Sequence, residues 1–348
     1  YKAQIDAGVK SIMITHSSLN GVKMHENKKY IDILKNDLGF EGFVISDWNS
    51  IQNTSPKTYY DQIVTCVNAG IDMLMEPDRF SEAFDILVDA VNKGDISEER
   101  IDDAVQRIIQ VKLDLGVFED PLCENIETKQ SEPGSDEYRA LAEKAVKESL
   151  VLLKNDGDVL PLKEGTSVYI MGPAVDDEVA QCGGWTLKWL GSPELEVPGV
   201  TSIAEGFKEV AEEYGITVYT KKKDAAKADV IILAVGEGAY AEWYGDTENI
   251  DLCGPLGLDG NKAAIKKANS YGKPVVTLVI AGRNVFVEKY MDSWDATVMC
   301  YLPGSEGQGI VKMLCGESEF SGKLPSPWYA SNKGIEEKSA WLEKGYGM

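Results

Sequence analysis

Five runs in the second half of the chain constrain its fold more than any other feature: SVYIMGP from residue 167, ITVYT from 216, DVIILAVGE from 229, PVVTLVIAGR from 274 and ATVMCYLPG from 296. Most are apolar at nearly every position, so they read as strands covered on both faces rather than strands with a wet side. Segments of helical period lie between them, the clearest placing Phe207, Val210, Ala211 and Tyr214 on one face. Such alternation implies a doubly wound, mostly parallel α/β sheet whose ligands sit beyond the carboxyl ends of its strands.

The first 118 residues alternate in the same way. SIMIT from 11, FVIS from 43 and IDMLM from 71 read as strands, and Phe84, Leu87, Val91 and then Ile101, Val105, Ile108 recur at helical spacing. Three strand–helix units are too few for an eight-stranded barrel, which takes about 250 residues. Residues 1–118 are therefore expected to be the C-terminal part of a (β/α)8 TIM-type barrel, completed by segments upstream or by a partner chain. Residues 119–137 (EDPLCENIETKQSEPGSDE) are polar and without period and read as a linker. A helix is expected next, with Tyr138, Leu141, Ala142, Ala145, Val146 and Ser149 on one face, followed by turn residues in NDGD at 155–158. The second domain, an (α/β)6 sandwich, spans 138–348.

Charge and cysteine usage narrow the chemistry. The formal net charge is −22, with Lys and Arg dispersed, a field that repels phosphate backbones and argues against nucleic acid. No apolar run approaches the roughly 18 residues of a membrane span. Cys66, Cys123, Cys182, Cys253, Cys300 and Cys315 show no CxxC spacing and read as free, mostly buried thiols. With His16 and His25 the only histidines, a histidine zinc site is disfavoured. Neither an organic cofactor nor a metal is implied.

Three stretches carry candidate chemistry. GFEGFVISDWNS, residues 39–50, follows a buried strand with Asp47 and Trp48. The bland reading makes Asp47 a helix cap and Trp48 ordinary core; the functional one puts both on the rim of the crevice. VGEGAYAEWYGD, residues 235–246, packs Glu237, Glu242, Asp246, Tyr240, Tyr244 and Trp243 behind another buried strand. It lacks a phosphate-binding glycine pattern and is too acidic to welcome an anion. Carboxyl groups among aromatic rings suit a sugar, because rings stack on pyranose C–H faces and apolar walls raise a carboxyl pKa. CGGWTLKWLG, residues 182–191, offers Trp185 and Trp189 after a glycine pair that suits a tight loop. Two core tryptophans are the competing reading.

Hydrolysis of a glycosidic bond uses two carboxyl groups in different environments, one ionised and one protonated. Asp47 and a Glu of the 235–246 loop are the candidates, expected to meet where the two domains touch.

The stretch HSSLNGVKMHENKKYIDILKNDLGFEGFVISDW at 16–48 resembles the nucleophile region of glycoside hydrolase family 3. KESLVLLKNDGDVLPL at 147–162, AGRNVFVE at 281–288 and LPGSEGQGIVKMLCGESEFSGKLPSPW at 302–328 resemble that family's second domain, and the terminal GYGM its usual ending. The resemblance implies that Asp47 is the nucleophile and Glu242, rather than Glu237, the acid/base of a retaining double displacement. It also implies that Trp48 and Trp185 clamp the sugar beyond the cleavage point; His16 and Tyr240 are the further expected substrate contacts. A retaining enzyme holds its two carboxyl groups roughly 5–5.5 Å apart.

The implied activity is exo-acting hydrolysis of terminal β-linked glucose from glucosides or oligosaccharides. β-Xylosides are the alternative, because the family's residues that hold the terminal sugar's hydroxyls come from earlier barrel segments. His16 and Leu19 stand where β-glucosidases of the plant-like subgroup often have Tyr and Trp, which leaves preference at that wall open. A family branch with a His-Asp dyad is disfavoured by the second domain, and a non-catalytic sugar-binding protein remains the reading from another class.

Overall fold

The computed structural model describes residues 1–122, 134–191 and 197–348. Cys123 and most of the expected linker lie outside them. The chain divides into two compact units, Tyr1–Thr128 and Lys129–Met348.

In the first unit, strand β1 (Ser11–Met13) runs parallel to β4 (Phe43–Ile45). Between them β2 (Ser18–Leu19) and β3 (Val22–Lys23) form a hairpin. Asn20 and Gly21 close it with φ of 53° and 82°, the left-handed pair that a two-residue hairpin turn requires. The third expected strand, IDMLM, contracts to one parallel bridge between Ile45 and Met73. Its ladder ends because the Met75 amide donates to the Ser46 hydroxyl (2.7 Å) instead of a strand carbonyl.

Asp72 holds this region together. Its side chain is fully buried; one oxygen accepts the Val44 amide (2.8 Å), and the other takes Lys35 (2.7 Å) and Arg100. Helices Tyr59–Ala69 and Glu98–Asp114 begin at Thr58 and Ser97, whose side chains cap the first turn. Of the expected apolar stripes, Leu87, Val91 and Ile101 pack against a core that includes Val44, Ile63 and Ile71, whereas Phe84 and Val105 stay exposed.

The second unit opens with helix Asp136–Ser149, capped by Ser135. Six strands follow: β5 (Val151–Asn155), β6 (Ser167–Met171), β7 (Thr217–Tyr219), β8 (Val230–Gly236), β9 (Val275–Ile280) and β10 (Ala296–Tyr301). They form one sheet in the order β5-β10-β9-β8-β6-β7, parallel throughout except for β5. The sheet is the mostly parallel one expected from sequence, with β5 as an addition. The apolar run 150–153 continues directly from the preceding helix, and only antiparallel pairing with β10 makes it a strand.

Every residue of β8 and β9 is buried. Ile232, Ala234, Val276 and Leu278 face Ile203, Phe207 and Ile310, while Ile231, Leu233 and Val279 face Ile265, Ala268 and Trp294. Burying each large aliphatic side chain contributes roughly 1.5–3 kcal/mol, which is why a run apolar at nearly every position selects a sheet covered on both sides. The chain leaves β6 for β7 on one side and returns as β8 on the other, so the strand order reverses between β6 and β8. Crevices at such reversals, beyond the carboxyl ends of the strands, are where ligands bind in open α/β sheets.

The described cysteines Cys66, Cys182, Cys253, Cys300 and Cys315 are free, and burial pushes the Cys66 thiol up to about 12. No helix among the described residues is long and apolar enough to cross a membrane.

Candidate active site

In the first unit the candidate site begins at the carboxyl end of β4. Ser46 is buried, Asp47 half-buried and Trp48 60% exposed, so the chain leaves the core within three residues. Asp47 caps no helix: the short helix that follows, Ile51–Asn53, starts from Ser50 without a side-chain cap. One Asp47 oxygen, Oδ1, accepts the Trp48 amide at 2.7 Å. Trp48 is a surface ring and not core. Asn49 adopts a left-handed φ of 49° and donates its amide to the Met75 carbonyl (3.0 Å), which turns the chain sharply behind the carboxylate.

The Asp47 amide donates to Nε2 of His25, 3.0 Å away and 1% exposed. Burial pulls the His25 pKa down to about 4, against the opposing pull of the Asp47 charge. The imidazole is therefore neutral near pH 7, with its proton on Nδ1 and a lone pair aimed at the Asp47 backbone. The sequence does not disclose this role: it offers two histidines to weigh as metal ligands, and nothing local shows that His25 reaches 22 residues ahead. The exposed His16 packs its Nδ1 against the Ser50 hydroxyl, three residues beyond Asp47.

In the second unit the candidate residues lie on loops that leave the carboxyl ends of β6 and β8, the two strands at the reversal point. The loop after β6 carries Trp185, 69% exposed, and the loop after β8 carries the exposed Glu242. A Cβ on Gly184 would stand 2.2 Å from the Tyr240 carbonyl oxygen, so only glycine lets the two loops meet. Trp189 then packs edge-on against Trp243 (5.2 Å between centroids) and Tyr244 (5.3 Å). Trp185 and Glu242 both hold left-handed φ values, 62° and 51°. Non-glycine residues in this region cost of order 1–3 kcal/mol and concentrate at functional sites.

Glu237 and Glu242 differ sharply. The Glu237 carboxylate is 1% exposed and forked by Arg283, with Nη2–Oε1 at 3.0 Å and Nε–Oε2 at 3.1 Å, and it accepts the Tyr240 hydroxyl at 2.9 Å. Glu242 is exposed, a position from which a carboxyl can reach a ligand. Tyr240 has its hydroxyl committed to Glu237 and its ring 4.7 Å beneath the Arg283 guanidinium, so in the second unit it acts as a brace of the loop. Arg283 is not recognisable in the sequence as a loop partner, because it follows β9, 46 residues from Glu237.

A cavity of about 420 Å³ in the first unit is lined by apolar side chains such as Ile12, Ile14, Ile31 and Leu34 together with Thr15, Ser17 and Ser18, and includes no carboxylate. Among the described residues no three His, Cys, Asp or Glu side chains cluster as a metal site would require.

Residues 1–111 match the glycosyl hydrolase family 3 N-terminal domain, and residues 150–346 match the glycosyl hydrolase family 3 C-terminal domain. The chain is 32% identical to a lysosomal beta glucosidase of Dictyostelium discoideum, across 92% of this chain and 42% of that protein. It is 26% identical to a periplasmic beta-glucosidase of Salmonella typhimurium, across 93% and 47%. The exo-1,3/1,4-beta-glucanase structure from a Pseudoalteromonas species superposes with a TM-score of 0.88 at 33% identity, covering 98% of this chain and 45% of that one. A Listeria innocua beta-glucosidase in complex with gluconolactone gives a TM-score of 0.85 at 26% identity, covering 100% and 52%. The chain spans about half the length of the curated relatives it matches. With both domain models matched in order and the second covering more than half its length, this chain belongs to glycoside hydrolase family 3.

Proposed function

We propose that the chain carries the catalytic residues of a retaining, exo-acting β-glycosidase that releases terminal β-linked glucose. Asp47 attacks the anomeric carbon. Glu242 protonates the departing oxygen and then deprotonates the water that resolves the glycosyl-enzyme, the double displacement of retaining enzymes. Trp48 and Trp185 supply stacking faces for the sugar beyond the scissile bond, and His16 lines the wall beside Asp47. Tyr240, first expected at the sugar, serves the site through the loop that it braces.

The observation that carries this reading is the setting of Asp47. A nucleophile must be held in place, and here one oxygen accepts the Trp48 amide while the Asp47 amide is held by a neutral imidazole. The names of the relatives, β-glucosidases and an exo-β-glucanase, support glucosides as the substrate class. The first unit is read as the C-terminal part of a TIM-type barrel, whose remaining strands hold the terminal sugar's hydroxyls from outside this chain. The second is read as an (α/β)6 sandwich.

The test is to trap the glycosyl-enzyme. Incubation of the full-length protein with an activated 2-deoxy-2-fluoro-β-glucoside, followed by peptide mass spectrometry, is expected to place the sugar ester on Asp47. An ester on another carboxylate, or turnover retained by Asp47→Asn, overturns the assignment.

A further inference from the structure

Glu242 sits in the middle of a loop whose two ends are tied to a single side chain. Arg283, just beyond β9, forks the Glu237 carboxylate at the loop's start and donates from Nη1 to the Gly245 carbonyl at its end (2.7 Å). Tyr240 closes the bracket from inside, its hydroxyl on Glu237 and its ring under the guanidinium. Burial and the Glu237 charge push the Tyr240 phenol up, so it remains a donor. Gly245 is crowded into this bracket: a Cβ there would stand 2.7 Å from the Tyr240 ring.

The chain between these anchors runs from Gly238 to Tyr244 and includes the left-handed Glu242. A residue in that conformation persists only where its surroundings over-determine it. The Glu237–Tyr240–Arg283 bracket supplies that constraint. A lysine cannot replace the arginine here, because a single ammonium cannot present a planar fork to a carboxylate and still reach a carbonyl eight residues further on.

We infer that Arg283, acting with Glu237 and Tyr240, is a positioning residue for Glu242: it holds the loop so that the exposed carboxyl meets the leaving oxygen, without itself touching substrate. The inference rests on the proposed role of Glu242 as acid/base. It assigns Glu237 a structural charge in place of a catalytic one.

The test uses the leaving group. A general acid matters most when the departing oxygen is a poor leaving group, as in a disaccharide. It matters little for a dinitrophenolate, which departs unprotonated. In the full-length protein, kcat/KM is compared for a β-linked glucose disaccharide and for 2,4-dinitrophenyl β-glucoside, using wild type, Arg283→Lys and Glu242→Gln.

General acid catalysis contributes about 10²–10⁴-fold. Glu242→Gln is expected to show most of that loss on the disaccharide alone. Arg283→Lys is expected to lose about tenfold or more of it on the disaccharide, with the activated substrate changed by no more than about threefold. Should Arg283→Lys fail to fold, the double variant Glu237→Gln with Arg283→Gln removes the unpaired charge and carries the same comparison. Equal losses on both substrates, or none on either, overturn the positioning role while leaving Glu242 in place. If Glu242→Gln itself shows no dependence on the leaving group, the acid/base reading falls and the inference falls with it.

Discussion

The backbone amide of Asp47 donates to Nε2 of His25 across 3.0 Å, between residues 22 positions apart. This bond ties the proposed nucleophile to an imidazole that burial keeps neutral, through the main chain and not through the carboxylate. It leaves the carboxylate's own oxygens to the Trp48 amide and, in the proposed mechanism, to the substrate. Substitution separates the two jobs of His25, filling a buried site and accepting a hydrogen bond. His25→Leu leaves the Asp47 amide without an acceptor and is expected to cost roughly 1–3 kcal/mol of stability, together with kcat. His25→Gln, whose carbonyl can accept the same amide, is expected to recover most of both. Denaturant unfolding and steady-state kinetics on the two variants check this, and equal losses would count against it.

The same histidine sets a pH window. Its pKa in the fold is about 4, below the ordinary 6.5, so the unfolded chain binds the extra proton first as pH falls. The contribution of neutral His25 to stability is whole above about pH 6.5 and shrinks as pH drops toward 4, where some 3 kcal/mol has gone. His25→Gln is expected to flatten the stability profile across that interval, and urea midpoints measured between pH 4 and 7 will show whether it does.

Asp72 is expected to be among the costliest positions in the first unit. Its buried carboxylate faces Lys35, Arg100 and the Val44 amide, and burial draws the Lys35 pKa down while Asp72 opposes it. Asp72→Ala leaves Lys35 and Arg100 with only the partly exposed Asp103 as a carboxylate partner and strands the amide of the strand that delivers Asp47. The expected loss is about 3–5 kcal/mol. A calorimetric shift in the unfolding of wild type against variant measures it.

Trp185 presents an exposed ring held by its loop, and the Trp185 amide donates to the Trp189 carbonyl at 2.9 Å. Trp185→Ala is expected to raise KM for oligosaccharides by about 2- to 12-fold, the range that stacking of 0.5–1.5 kcal/mol supplies. Thermal stability should hardly move, since the ring covers little core. A fall in stability with KM unchanged would return the ring to a packing role.

Gly184→Ala would put a methyl 2.2 Å from the Tyr240 carbonyl oxygen, a backbone atom that cannot step aside alone. The loops after β6 and β8 must separate, at a cost of about 1–3 kcal/mol. The coupled rings Trp189, Trp243 and Tyr244 should lose their fixed geometry, and near-ultraviolet circular dichroism reports that loss directly.

Much of this protein was determined by sequence alone, and for a local reason. Continuous apolar runs such as 230–236 and 275–280 bury every residue wherever they pair, so the parallel sheet of the second unit follows from their pattern and from the helices between. Asp47 and Trp48 stood out as candidates because a carboxylate or indole placed directly after a buried strand lands at its carboxyl end, whereas Glu242, beyond the strand-end Glu237, was singled out only by the family resemblance. The tertiary structure decided whatever depends on distant partners. The run 150–153 became a strand only through β10, and IDMLM shrank to a bridge because Ser46 captured the Met75 amide. His25 became the holder of Asp47, and Arg283 the partner of Glu237, across separations of 22 and 46 residues. Periodicity records which face of an element is buried; it carries no register between elements, and hydrogen bonds formed across that register fix what each acid in these loops is free to do.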